Sequence, residues 1–346
     1  MTDIKSLNRT ELTDFILELG EKKYRAEQLF SWMHRSLAES PDEMNNIPAS
    51  LKALIKEKAE YTSLKAVDVQ TSAADGTKKF LFALNDGNVI ESVWMEYRDW
   101  DSVCISSQVG CSMGCVFCAS TLDGCVRSLT PSEMLDQVYS IQRITGKRVS
   151  NIVVMGSGEP LNNYDNLLKF LEIINDEKGL NIGERHITVS TCGLVPEIRR
   201  LADEKKQITL AISLHAPNDE KRRELMPIAR KYSLKELLSA VKYYFEKTGR
   251  RITFEYALTR GVNDGKEDAK ELSELIRDIN CHVNLIPVNP VRERSLKPSA
   301  DGRVNAFKTE LEKNGINVTI RREMGRDIDG ACGQLRRKHL EAVSNV

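Results

Sequence analysis

Apolar residues recur at spacings of three and four through residues 10–19 (TELTDFILEL), 24–36 (YRAEQLFSWMHRS) and 50–61 (SLKALIKEKAEY), which predicts three amphipathic helices. Turn-rich SPDEMNNIPAS separates the last two. From residue 63 to 98 the period shortens to that of strands in KKFLFAL and NVIESVWMEY, with turn signals at Asp75-Gly76 and Asp86-Gly87, so a β-hairpin is expected there. Beyond residue 99, short β-rich runs (VCISS, NIVVMG, HITVST, ITLAISLH, RITFEYAL, HVNLIPV, then INVTIRR) alternate with helical ones (DNLLKFLEIIN, SLKELLSAVKYYFEKTG, KEDAKELSELIRDI, NAFKTELEKNG). Such alternation predicts βα units and a parallel sheet. Six units are too few for an eight-stranded closed barrel, so the expected fold class is α/β: a partial (β/α)6 TIM-like barrel carrying a small N-terminal helical accessory domain. The expected domains are 1–62, helical; 63–98, the hairpin extension; and 99–346, catalytic. Thr130-Pro131-Ser132-Glu133 supplies an N-cap, a first-turn proline and a capping-box glutamate for one helix start.

The chain has 346 residues, ample for a sizeable core, and no stretch approaches the roughly 20 apolar residues of a membrane span. The opening MTDIKSLNRTELTD is too polar for a secretory segment, so a cytoplasmic protein without membrane contact is expected. Fifty basic residues balance fifty acidic ones, so a nucleic-acid site has to be a local basic surface. Eight cysteines without an export signal point to metal binding or thiol chemistry rather than a disulfide framework.

The chemistry concentrates in Gly110-Cys111-Ser-Met-Gly-Cys115-Val-Phe-Cys118-Ala, a Cys-x3-Cys-x2-Cys spacing just after the first barrel strand. Three thiolates leave one coordination position of a 4Fe-4S cluster open for another ligand. The plainer reading is a zinc site completed by Cys104 or Cys125, although no second cysteine knuckle is present. With its aromatic before the last cysteine, the loop resembles the signature of radical S-adenosylmethionine (SAM) enzymes. In these, the open iron binds SAM and reduction yields a 5'-deoxyadenosyl radical.

From Tyr24 onward the chain further resembles the RlmN family of dual-specificity RNA methyltransferases, which methylate carbon 2 of adenosine. The likeness is carried by ESVWMEY, VCISSQVGCSMGCVFCAS, VVMGSGEPLNNYDN, RHITVST, ISLHAPND, ELMPIARKY, FEYALTRGVND, HVNLIPVNP and IRREMGRDIDGACGQL. Carbon 2 of adenine is an electron-poor amidine carbon, which disfavours polar attack on a SAM methyl group and calls for a radical route. The resemblance implies Cys111, Cys115 and Cys118 as cluster ligands, Cys332 as the methyl carrier and Cys104 as the thiol that resolves the RNA adduct by a transient Cys104–Cys332 disulfide. It implies Glu91 as the proton acceptor, and Gly158, Glu159, Ser190, Ser213, Leu214, His215 and Asn289 as SAM contacts. The cofactors implied are a 4Fe-4S cluster and SAM, two SAM per methyl group. The implied partners are 23S rRNA in a protein-poor assembly intermediate, tRNA, and an electron donor such as flavodoxin or ferredoxin. The implied targets are adenosine 2503 of 23S rRNA and adenosine 37 of tRNAs, the alternative being methylation at carbon 8 of the same rRNA adenosine, as in the related Cfr enzymes.

On residue type alone, Cys104 reads as a buried strand cysteine, Glu91 as a solvated strand carboxylate and His215 as a structural histidine. Their joint presence with the cysteine loop and Cys332 reverses those readings. Ser157, Cys192 and Cys125 depart from the family pattern without removing a residue assigned chemistry, and Cys281 reads as a small buried residue. Basic stretches at Lys221-Arg222-Arg223, Arg250-Arg251, Arg321-Arg322 and Arg336-Arg337-Lys338, with the N-terminal module, are the candidates for RNA contact; each could equally be ordinary solvated charge.

Overall fold

Why the chain alternates so regularly after residue 99 is plain in the computed structural model, which describes residues 1–288, 296–328 and 333–344. Parallel strands need a helical crossover to return the chain to the same edge. The N-terminal module comes first: β1 (Thr2–Asp3), α1 (Arg9–Glu18), α2 (Tyr24–His34), α3 (Ala49–Lys58) and β2 (Ala59–Glu60), with β1 and β2 paired in parallel. All three expected helices are present. The last residues of the third run instead form β2, which ties the module's end to its start.

Next come three antiparallel strands, β3 (Lys65–Thr71), β4 (Lys78–Ala83) and β5 (Val89–Glu96). The barrel follows as β6 (Asp101–Cys104), the bracket β7 (Gln108–Gly110) and β8 (Cys125–Ser128), α4 (Pro131–Thr145), β9 (Asn151–Val154), α5 (Tyr164–Asn175), β10 (Ile187–Thr191), α6 (Val195–Asp203) and β11 (Thr209–Ser213). It ends with α7 (Asp219–Leu225), α8 (Leu234–Thr248), β12 (Ile252–Leu258), α9 (Lys266–Ile276), β13 (Cys281–Pro287), α10 (Asp301–Lys313), β14 (Val318–Ile320) and α11 (Gln334–Ser344).

One ten-stranded sheet, in the order β14-β13-β12-β11-β10-β9-β6-β5-β4-β3, unites extension and barrel. From β6 to β14 neighbours are parallel, while β3 to β6 are antiparallel. β14 and β3 are its two edges, so the barrel is partial, as expected. The extension differs from the expected hairpin in having three strands. KAVDVQT of β3 is almost wholly exposed, so it carries no hydrophobic alternation by which to be recognised.

Alternation sorts each barrel strand into two faces. In β11, Leu210 and Ile212 pack into the main core, while Ala211 and Ser213 face the other way; in β12, Tyr256 stacks against Phe307 of α10, leaving Glu255 on the inner face. Register then aligns Ser213, Glu255 and Asn284 in one row across β11, β12 and β13. The expected cap of α4 is formed: the Thr130 side chain accepts from Glu133 N–H and the Glu133 carboxylate from Thr130 N–H. No helix among the described residues is long and apolar enough to cross a membrane.

Candidate active site

The cysteine loop is closed by the β7–β8 bracket. Cys111 N–H donates to the Gly124 carbonyl at 2.8 Å. Gly110 has φ +78°, and a Cβ there would lie 2.0 Å from that carbonyl oxygen, so only glycine fits. Thr121 Oγ1 donates to the carbonyls of Cys115 and Cys118, and Val116 N–H to Leu225 O at 3.0 Å, seating the loop on the end of α7. Cys111 and Cys115 are buried and Cys118 half-buried. Burial pushes the Cys111 thiol up to about 12 and that of Cys115 higher still, and each is raised further by its neighbours' charge. Thiols held this way ionise when a metal takes the proton's place.

The chain after β9 bends across the mouth of the barrel. Gly156 leaves its Cβ position 2.7 Å from Ile105 O, and Gly158, at φ +109°, leaves its own 2.6 Å from the Gln108 side chain. The Glu159 carboxylate accepts from Cys192 N–H at 2.8 Å and Leu161 N–H at 3.0 Å. It therefore splices the ends of β9 and β10, and burial raises its pKa. Ser190 lies half-buried on β10.

At the end of β11 His215 takes a left-handed φ of 58°. Its Nδ1 accepts from Ala257 N–H at 2.9 Å, and its ring meets Phe117, between two loop cysteines, edge-on at 4.7 Å. Burial, then the Arg222 charge, lowers its pKa to about 3, keeping it neutral with Nε2 protonated. Arg222, read from sequence as part of a surface basic stretch, is instead fully buried. Its Nη2 donates to Cys192 O (2.7 Å) and Ser213 O (3.3 Å), and its Nε to Leu214 O (3.2 Å). Arg336 is buried too, its Nε donating to Val89 O, whereas Arg321 and Arg322 are exposed.

Several buried polar atoms at this end have no protein partner: Ser107 Oγ, Ser120 Oγ, Ser157 Oγ, Arg222 Nη1 and Glu255 Oε2. Other buried atoms among the described residues, Asp3 Oδ1, His34 Nε2 and Arg250 Nε among them, also have no protein partner. Unspent donors and acceptors around three convergent thiols fit a cluster with a polar, charged ligand such as SAM.

Glu91, on β5, receives the C-terminal segment. Its Oε2 accepts from Gly333 N–H at 2.6 Å and pairs with Lys79 Nζ at 3.1 Å, while Oε1 accepts from Arg336 N–H at 2.6 Å. A Cβ on Gly333 would lie 2.7 Å from Ser120 N, so this segment also abuts the chain just after Cys118. The β3–β4 turn grips it further back: Asp75 accepts from Gly325 N–H, and Asp327 from Ser72 Oγ and Ala73 N–H. Cys104 lies opposite Val93 in register, on the same face of the sheet as Glu91 two residues before it. Cys332 and Asn289 lie outside the described residues. Cys125 begins β8, Cys281 begins β13, and Cys192 is buried beside Glu159.

Lys79, Glu255 and the Asp75–Asp327 grip were not singled out from sequence, and Arg222 was read there only as part of a basic stretch. Only Arg222 carried a local signal: it stands three and four residues before Leu225 and Met226, on the apolar face of a short helix.

Residues 105–276 match the radical SAM superfamily, and residues 2–61 match the ribosomal RNA large subunit methyltransferase N-terminal domain. The chain is 64% identical to a probable dual-specificity RNA methyltransferase RlmN of Lachnospira eligens over 99% of this chain and 98% of that one. It is 55% identical to the protein of that name from Lachnoclostridium phytofermentans, over 98% and 95%. Its fold superposes on the crystal structure of a radical SAM methyltransferase from Sphaerobacter thermophilus with a TM-score of 0.93 and 43% identity, covering 96% of this chain and 99% of that one.

Proposed function

This chain belongs to the RlmN family of dual-specificity radical SAM RNA methyltransferases, whose cofactors are a 4Fe-4S cluster and SAM, and from that premise we propose that it methylates carbon 2 of adenosine 2503 in 23S rRNA and of adenosine 37 in tRNAs. The observation that carries this reading is the seating of Gly333, the residue after Cys332, against both Glu91 and the chain following Cys118.

Cys111, Cys115 and Cys118 hold the cluster, and the backbone at Gly158 and Glu159 with Ser190, Ser213, Leu214, His215 and Asn289 contacts SAM. Because the Glu159 carboxylate is engaged by two backbone N–H groups, its part is to shape the loop. When bound, the cluster and SAM supply a radical able to abstract an unactivated hydrogen atom.

The chain's own residues do the rest. Cys332 accepts a methyl group on sulfur and gives up one hydrogen atom from it, and the carbon so opened bonds adenine carbon 2 as a thioether. Glu91 takes the proton leaving carbon 2, and the odd electron left by bond formation would return to the bound cluster; the contact of Glu91 with Gly333, next to Cys332, supports the role of Glu91. Cys104, as its thiolate, then attacks the Cys332 sulfur: the S–S bond forms, the C–S bond breaks, and the exocyclic carbon leaves with that electron pair and takes up a proton to become the methyl group. Its place on the inner face beside Glu91 supports this pairing. Exposed Arg223, Arg251, Arg321, Arg322 and Lys338 remain the candidates for phosphate contact. Flavodoxin or ferredoxin supplies the electrons.

The test is anaerobic turnover of wild type and Cys332→Ala on a 23S rRNA fragment with SAM and reductant, read by nucleoside mass spectrometry. We expect 2-methyladenosine from the wild type and none from the variant. Methylation by the variant would remove the carrier role, and 8-methyladenosine would move the chain to Cfr-type chemistry.

A further inference from the structure

A buried cation at the mouth of the barrel has no acid to pair with. Arg222 is fully buried, yet no carboxylate among the described residues forms an ion pair with it. Its hydrogen bonds go to three carbonyl oxygens, which supply partial charges only, and Nη1 meets no acceptor. Burying an unpaired charge costs several kcal/mol, so a fold that keeps one needs a partner absent from its own side chains.

The surroundings indicate what that partner is. Leu225 and Met226, at the end of the same helix, share an apolar cluster with Cys115 and Cys192, and Leu225 O holds Val116 of the cysteine loop. The guanidinium is close enough to act electrostatically on the thiols of Cys115 and Cys192. Asp219, the acid that senses it from its own helix, spends its side chain on Leu234 N–H.

We propose that Arg222 is a positioning residue for the iron–sulfur cluster: a fixed counter-charge to its cysteine ligands that makes the cluster easier to reduce. The inference rests on Cys111, Cys115 and Cys118 being the cluster ligands. Reduction adds one electron to a group already negative with its three thiolates, so a buried cation nearby favours the reduced form more than the oxidised one. Three carbonyl contacts fix the guanidinium beforehand, so no reorganisation is needed when the electron arrives.

Wild type, Arg222→Lys and Arg222→Gln are compared after anaerobic reconstitution without SAM. Iron and labile sulfide are counted, and the midpoint potential is read by EPR-monitored titration. Arg222→Gln is expected to lose about tenfold in electron affinity, about 59 mV to the negative for one electron. Arg222→Lys is expected to stay near the wild-type potential. Without metal, Arg222→Gln is expected to melt within a few degrees of wild type, because an unpaired charge has been removed. Equal potentials in wild type and Arg222→Gln would overturn the proposal. So would a Lys variant displaced as far as the Gln one, or a Gln variant unfolded without metal, since either makes Arg222 a backbone clamp. Absence of labile sulfide from the wild type itself would instead bring down the cluster-ligand assignment.

Discussion

Lys5 and Arg222 are both fully buried cations, and their surroundings differ in kind. Lys5 lies in the seam between the N-terminal module and α4, where its Nζ meets Asp136 Oδ1 at 3.0 Å. The other oxygen of Asp136 accepts from Leu64 N–H at 2.6 Å and from Ser140 and Arg143. Asp3, Ser6, Ser132 and Thr62 continue the network, and His34 Nδ1 meets the Tyr139 hydroxyl at 2.9 Å. Lys5 there has its counter-charge inside the chain, although Asp3 Oδ1 and His34 Nε2 have no protein partner. At the barrel mouth Arg222 has no ion-pair partner among the described residues, and its own Nη1 has no acceptor. A paired charge holds two units in one orientation; an unpaired one, equally buried, is a socket for something that is not protein.

The sharpest way to break the comparison is to unpair Lys5. Asp136→Ala strands Lys5 as an uncompensated buried charge, which typically costs about 3–5 kcal/mol. Urea unfolding should show that loss, while iron bound per folded molecule stays at the wild-type level. If instead the cluster is lost from folded protein, the seam is not merely structural.

A smaller effect follows from His34. Burial, then the Lys5 charge, lowers its pKa from 6.5 to about 3. The folded value lies below the unfolded one, so its contribution is present above about pH 6.5 and is lost as pH falls toward 3. About 2 kcal/mol should disappear between pH 7 and pH 5. Denaturant titrations of wild type and His34→Gln at both values isolate this share, because His215 and the buried carboxylates are common to both. Parallel pH dependences would remove His34 from the account. The smallest effect is expected at Thr130, the cap of α4 and a member of the seam through Ser132. Thr130→Ala should cost about 1 kcal/mol in the same titration, with turnover unchanged.

Features written in a few consecutive residues were legible in the sequence. The cap of α4 occupies four positions, and the cysteine loop keeps its three cysteines within eight residues. The barrel strands were legible because one face of each is continuously apolar. What escaped depends on burial or on distant partners. Lys221-Arg222-Arg223 looks like solvated charge until α7 is seen to turn its middle residue inward. β3 has no apolar face to advertise it. Glu91 meets Gly333 across 242 positions, and no local pattern announces such a meeting.

That distance has a consequence for synthesis on the ribosome. Glu91 and Lys79 emerge first and settle into the sheet, but the amide groups that Glu91 binds belong to residues made 242 and 245 positions later. The turn at Asp75 waits as long for Gly325, 250 positions away. Domains fold in order of emergence, so the nascent barrel exists for most of its synthesis with the Glu91 contacts unmade. A nascent chain therefore acquires the Glu91 contacts only after residues 333–336 have emerged, and a chain released before that point lacks them.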